Sequence, residues 1–143
     1  MREAEWITEL RRQLIRHEGV VPYAYQDHLG FWTIGVGRLI DKRRGGGLSD
    51  NEIEYLLDND IWKVMGQLQD RLPYWKSLSG KQKQALCNMA FQLGVNGLMN
   101  FKKMLNALDR RDFEEAEREA LNSRWAEQTP NRAREVAAML REE

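Results

Sequence analysis

Glu18, Asp27 and Thr33 are the residues of this 143-residue chain whose types and spacing could do chemistry together, and all three lie in RHEGVVPYAYQDHLGFWTIGVGRL, residues 16–39. Two carboxylates flanking a turn, with a hydroxyl nearby, are what glycosidic bond cleavage needs. One carboxyl stays protonated to give a proton to the leaving oxygen, while the other stays ionised to steer water or stabilise an oxocarbenium-like centre. The chain holds 22 acidic residues, enough to produce many such pairs. On residue types alone, Glu18 is therefore equally a helix-end surface residue and Asp27 a turn former.

Other chemistries find less support. His17-Glu18 invites a metal reading, but HEGVV is not H-E-x-x-H, His28 lies eleven residues beyond His17, and the single Cys87 is remote in sequence. No metal site and no cofactor follow from that pattern. Lys plus Arg and Asp plus Glu both total 22, so the net charge is zero and no long-range field for nucleic acid emerges. Lys42, Arg43 and Arg44 read as a solvated loop. No run approaches the roughly 18 apolar residues that a membrane span requires. Cys87 cannot form an internal disulfide and reads as a buried thiol, in keeping with a reducing cytoplasm. The start, MREAEWITEL, is charged and has no apolar core of a secretory signal.

The elements that must position Glu18, Asp27 and Thr33 follow from periodicity. Trp6, Ile7, Leu10, Leu14 and Ile15 recur at steps of three and four, which predicts a helix over 3–17 stopped by Gly19 and Pro22. Glu18 then sits at the helix C-terminus, where the macrodipole disfavours a negative charge. Aromatic and β-branched residues take over from Tyr23, with His28-Leu29-Gly30 as a turn between the runs 23–27 and 31–37. A third strand is expected near 38–42, and Gly35 and Gly37 suggest a close approach of backbone or ligand. DKRRGGG follows as a charged connector.

Ser49-Asp-Asn-Glu52 is a capping box, and the apolar residues from Ile53 to Leu72 keep helical spacing up to Pro73. Ser79-Gly-Lys-Gln82 is a second capping box, opening a helix that ends at Gly94. Leu98, Phe101, Met104, Leu105 and Leu108 mark one further helix, residues 112–122 another, and Thr129-Pro130 the N-cap and N1 of the last. The fold class is α+β, mainly helical, in one domain over 1–143: a small β-containing lobe at about 18–48, a connecting helix at about 49–72, and a helical lobe at about 73–143 that takes in helix 3–17.

HEG at 17–19, YQD at 25–27, GFWTIGVGRL at 30–39, NMAFQLG at 88–94 and SRWAEQTPNRA at 123–133 together resemble the phage-type lysozymes of glycoside hydrolase family 24. The likeness runs from about Leu14 to Val136, with the motifs in order. It implies a lysozyme-like two-lobed fold and a catalytic triad E-x8-D-x5-T on Glu18, Asp27 and Thr33. Glu18 would be the general acid, Asp27 the carboxylate that positions water or stabilises charge, and Thr33 a hydroxyl holding the water. Members of the T-even type invert anomeric configuration. The resemblance further gives Arg132 the role of an Arg that approaches the catalytic Glu, makes Leu39 and Phe91 line a saccharide cleft, and hydrogen-bonds Gln92 near Trp125. Without it, Arg132 is an ordinary solvated helix residue and Trp125 is core.

Implied with these is an endolysin that hydrolyses the β-1,4 bond between N-acetylmuramic acid and N-acetylglucosamine in peptidoglycan and lyses the host cell. It would act as a monomer on the glycan strand, without nucleic acid or direct membrane insertion. From the host cytoplasm it would reach the wall in the periplasm through a holin-type membrane partner. A lytic transglycosylase on the same bond and a catalytically silent wall-binding virion module stay open as alternatives. Met104 and Glu119 replace short polar residues that contact substrate in the T-even type, and Arg38 stands where that type has His.

Overall fold

The computed structural model describes residues 3–30, 32–39 and 48–143, with the side chains of residues 3, 4, 22–24, 32, 38 and 39 outside the description. Its element order is mainly helical with one small sheet, the expected α+β class. Helix α1, Glu3–Glu18, runs one residue further than its apolar period. Trp6, Leu10 and Leu14 are its buried stripe, as steps of four demand. Gly19, at φ 77°, closes it by donating to the Ile15 carbonyl at 2.9 Å.

Strands β1, Val21–Gln26, β2, Trp32–Gly35, and β3, Arg38–Leu39, form an antiparallel sheet in that order. Tyr25 pairs with Thr33 across the first ladder, and Thr33 with Leu39 across the second. The first strand begins two residues before the expected run, and an irregularity in register falls between Val21 and Tyr25. The third strand is present as Arg38–Leu39; positions 40–42 and the DKRRGGG connector lie outside the described residues.

Helix α2, Asp50–Arg71, starts where its capping box puts it. Ser49 Oγ accepts from the Glu52 N–H, and Glu52 Oε1 accepts from the Ser49 N–H, both at 3.2 Å. Ile53, Leu57, Ile61, Met65 and Leu68 are its buried face. Helix α3, Gly80–Leu93, has the second capping box, Ser79 with Gln82, and ends at Gly94 with φ 81°. The same Gln82 is buried and donates from Nε2 to the Leu140 carbonyl at 3.0 Å, so one side chain serves a cap and a tertiary bond.

Three local expectations are corrected. The apolar run from Leu98 to Leu108 is two helices, α4, Val95–Met99, and α5, Lys102–Asp109, because Phe101 takes ψ 61° and breaks the helical path. Following α6, Phe113–Leu121, a helix absent from the periodic reading, α7, Arg124–Gln128, is started by Ser123, whose Oγ accepts from the Ala126 N–H at 3.2 Å. Pro130 does open α8, Pro130–Met139, but the Thr129 hydroxyl donates backwards to the Trp125 carbonyl at 3.0 Å and does not cap its own helix. Cys87 is buried and free, and burial pushes its thiol up from its ordinary value.

The chain divides into two compact units, one of Arg11–Lys63 and one of Met1–Leu10 with Val64–Glu143. The first is the sheet with the adjoining parts of α1 and α2, whose Arg11 and Asp58 make a two-pronged ion pair that includes Nε to Oδ1 at 3.1 Å. The second contains α3 to α8 packed around Leu86, Met89, Leu98 and Leu108, all nearly inaccessible. Among the described residues no helix is long and apolar enough to cross a membrane.

Two stability changes of opposite sign follow. Gly66 lies inside α2, and an added Cβ would meet nothing within 4 Å. Gly66→Ala raises stability by about 0.5–1 kcal/mol, read as a higher denaturation midpoint with unchanged slope. Gln82→Ala removes half a capping box and leaves the Leu140 carbonyl without its partner, lowering stability by about 1–3 kcal/mol in the same measurement.

Candidate active site

Glu18 is the last residue of α1, and the chain that returns from β2 passes directly over it. A Cβ built on Gly37 would lie 2.7 Å from Glu18 Oε2 and 2.8 Å from its carboxyl carbon. Gly37 also holds φ 71°, a backbone that other residues adopt at a cost. Both demands explain the glycine. The close approach anticipated at Gly35 and Gly37 is real at Gly37, and its partner is a carboxylate. At Gly35 the nearest atoms belong to Ile53, at an ordinary 3.7 Å, and the positive φ of 70° alone calls for glycine.

Asp27 closes the β1–β2 turn. Its Oδ1 accepts the Leu29 N–H at 2.9 Å and its carbonyl accepts the Gly30 N–H at 2.9 Å, an Asx turn. The turn-forming reading of Asp27 is thus correct. Thr33 is 3% exposed on the central strand. Its cross-strand partner Tyr25 is half-buried and presents its side chain on the same face of the sheet. Burial first, then the negative charges of Glu18 and Asp27, push the Tyr25 phenol above its ordinary value. One phenol therefore feels both carboxylates. This is the observation that brings Glu18 and Asp27 into one electrostatic neighbourhood, and the residue reporting it was passed over in the sequence because an aromatic in a strand reads as packing. Leu39 pairs with Thr33 through the backbone, while its side chain lies outside the description.

In the helical unit the remaining candidates are held by specific bonds. Trp125 is buried and its Nε1 donates to Gln92 Oε1 at 2.8 Å, with Phe101 edge-on at 6.0 Å. Arg132 is half-buried and donates from Nε to Oδ1 of the fully buried Asn88 at 3.1 Å, so the solvated-helix reading of Arg132 fails. Asn88 opens the NMAFQLG motif, where it has no assigned role of its own. A polar residue two positions after Leu86 and one before Met89 was the available signal, since a buried amide needs a partner. Phe91 is half-buried on the last turn of α3. Beside Trp125 opens a pocket of about 620 Å³ with Phe101 and Met104 in its lining and Lys102, Glu119 and Arg124 among its charged residues. Met104 and Glu119, set aside at sequence level as departures, both line it.

The family model for phage lysozyme matches residues 15–141, nearly the whole span of these elements. The chain belongs to the phage lysozyme family. It is accordingly a lysozyme-type, peptidoglycan-cleaving glycosidase. This phage lysozyme is 27% identical to a probable T4-type lysozyme 1 of Dictyostelium discoideum over 94% of each chain. It is 27% identical to an endolysin of Acyrthosiphon pisum secondary endosymbiont phage 1, over 81% of this chain and 76% of that one. With the pre-baseplate central spike protein Gp5 of Enterobacteria phage T4 it shares 28% identity over 92% of its own length and 27% of that protein's.

The glycine above Glu18 separates backbone strain from contact in a direct comparison. Gly37→Ala adds the left-handed penalty of about 1–2 kcal/mol and also displaces the Glu18 carboxylate. Gly30→Ala adds the same kind of penalty at φ 85° but meets nothing within 4 Å. In the phage lysozyme, both variants melt lower, and Gly37→Ala alone loses roughly tenfold or more in wall-lysis rate at a temperature where both are folded.

Proposed function

We propose that this phage lysozyme hydrolyses the β-1,4 bond between N-acetylmuramic acid and N-acetylglucosamine with inversion, using Glu18, Asp27 and Thr33. The observation that carries the reading is the Gly37 backbone lying on the Glu18 carboxyl, which fixes one acid at the edge of the sheet that carries the other two residues. Glu18 gives its proton to the glycosidic oxygen as the C–O bond breaks. Asp27 takes a proton from a water molecule that attacks the anomeric carbon from the opposite face, and Thr33 Oγ1 orients that water. The Asx turn holds Asp27 in place before substrate arrives, which spares that ordering during reaction.

The family resemblance assigns Leu39, Phe91 and Gln92 to saccharide binding, and of these Gln92 is oriented by the Trp125 indole. Arg132 is oriented by Asn88, and the family resemblance is what assigns it a place near the acid. Neither a metal nor a cofactor takes part in this route. The endolysin among its relatives supports host-cell lysis as the setting; in that setting the protein would wait in the cytoplasm as a monomer and reach the periplasmic wall through a holin-type membrane partner.

Glu18→Gln keeps the shape of the side chain and removes the transferable proton. It lowers the lysis rate of permeabilised cells by at least about a hundredfold with an unchanged melting curve, and appreciable lysis by the folded variant rejects Glu18 as the acid. Wild-type digests show the inverted anomer at a free reducing end by NMR; a 1,6-anhydro end in the mass spectrum identifies a transglycosylase instead. Thr33→Glu places a carboxylate where water was held and accumulates a glycosyl-enzyme adduct or a retained product if Thr33 has the water-holding role.

A further inference from the structure

We propose that the outward face of α2 is a second saccharide-binding surface, taking a neutral β-1,4-linked N-acetylhexosamine strand at a place distinct from the Glu18 site; the identity of the polymer rests on the peptidoglycan reading. Ile53, Leu57 and Ile61 form the buried stripe of this part of the helix, and the sheet packs there through Gly35. Tyr55 and Trp62 lie on the opposite side of the same helix and are 68% and 55% exposed. Neither contributes to the core.

Their spacing is what points to a glycan. Seven residues of helix place the two rings about 10 Å apart along the axis, on one line, since seven residues make nearly two turns. That is the length of two β-1,4-linked pyranose rings, whose flat faces of axial C–H bonds stack on aromatic rings. Asn59, exposed one turn after Tyr55, offers a carboxamide to hydroxyl and acetamido groups between the two platforms. At the N-terminal end of the line a pocket of about 410 Å³ is walled by Leu48, Asn51, Glu52, Tyr55 and Leu56. It combines apolar walls with one amide and one carboxylate beside an aromatic ring, which suits an N-acetylated sugar.

Charge selects among occupants. From Asp50 to Lys63 the exposed acids are Asp50, Glu52 and Glu54 against the single exposed cation Lys63, while Asp58 is ion-paired with Arg11. An acidic face repels anionic lipid and nucleic acid. A second copy docked through this same face would oppose acid to acid across a two-fold axis. A neutral glycan backbone has no such penalty. The surface would hold a strand of the insoluble wall while bonds are cut elsewhere on the protein, adding to retention through effective concentration.

The experiment uses the full chain. Binding of Glu18→Gln protein to purified insoluble peptidoglycan is measured by co-sedimentation, with and without the Tyr55→Ala/Trp62→Ala pair, and with chitohexaose as the neutral soluble competitor. The double variant binds roughly tenfold more weakly, chitohexaose brings the parent down to that residual level or below, and Tyr55→Phe/Trp62→Phe restores binding. With Glu18 intact, the double variant cleaves a soluble short glycan oligomer at the parental rate and the insoluble wall more slowly. Unchanged co-sedimentation overturns the proposal. So does a dimer-to-monomer shift in analytical ultracentrifugation, which assigns the face to self-association, and so does equal loss on soluble and insoluble substrates, which assigns it to the active site. Were the intact protein to cleave no glycan yet bind chitohexaose through Trp62, the hydrolase reading would fall and the surface would stand.

Discussion

The chemistry proposed for this protein depends on the closeness of one backbone, at Gly37, to one carboxyl group, at Glu18. The chain leaving β2 can pass over Glu18 only because Gly37 lacks a side chain and accepts φ 71°. Backbone laid across a carboxyl on the last residue of a helix narrows the directions that side chain can take. The sheet serves first as a cover for an acid and only second as a platform for the groups that act with it.

The other groups are held by local bonds that the fold already needs. Asp27 is fixed by the turn it forms, Thr33 by being the central strand's residue in register with both neighbours, Gln92 by the Trp125 indole and Arg132 by buried Asn88. In each case a bond or pairing that belongs to the fold also sets the direction of a polar side chain. Such double use lets a small domain orient several polar side chains without a separate set of supporting residues. It also makes the site vulnerable to substitutions that never touch substrate, since loss of Asn88 or of the Leu29 N–H contact frees a group whose direction matters.

Periodicity and capping chemistry made the long elements legible. The Ser49 and Ser79 capping boxes place the starts of α2 and α3 to the residue, because reciprocal side-chain and backbone bonds leave little alternative. Short helices were not legible in the same way. The α4–α5 break at Phe101 and the five-residue α7 depend on tertiary packing around Trp125, which no eleven-residue window contains. Thr129 shows the limit of positional rules: a hydroxyl before a Pro suits an N-cap, yet it joins its own N–H on the Trp125 carbonyl of the preceding helix. At the site, residue types and spacing named Glu18, Asp27 and Thr33, and the family pattern set them apart from 22 acidic residues. Asn88 was hidden because its partner Arg132 lies 44 residues along the chain, and Tyr25 because an aromatic in a strand reads as packing.

Helix α2 separates two kinds of information that periodicity merges. Its inward stripe is dictated by burial: each of Ile53, Leu57 and Ile61 removes apolar area from water, a gain of about 1.5–3 kcal/mol per side chain. The outward face is under no such constraint, and for an exposed helical position charged or small residues serve solubility better than rings. Tyr55 and Trp62 therefore gain nothing for the fold where they stand, and a single exposed aromatic would call for no explanation. Two in line, with a polar pocket continuing the line and acidic side chains around it, form a surface with a direction, an apolar character and a charge. A polymer of uncharged, flat-faced rings satisfies all three, and the neutral total charge of the chain conceals the feature, because the acidic excess of α2 is offset by cations placed elsewhere in the sequence.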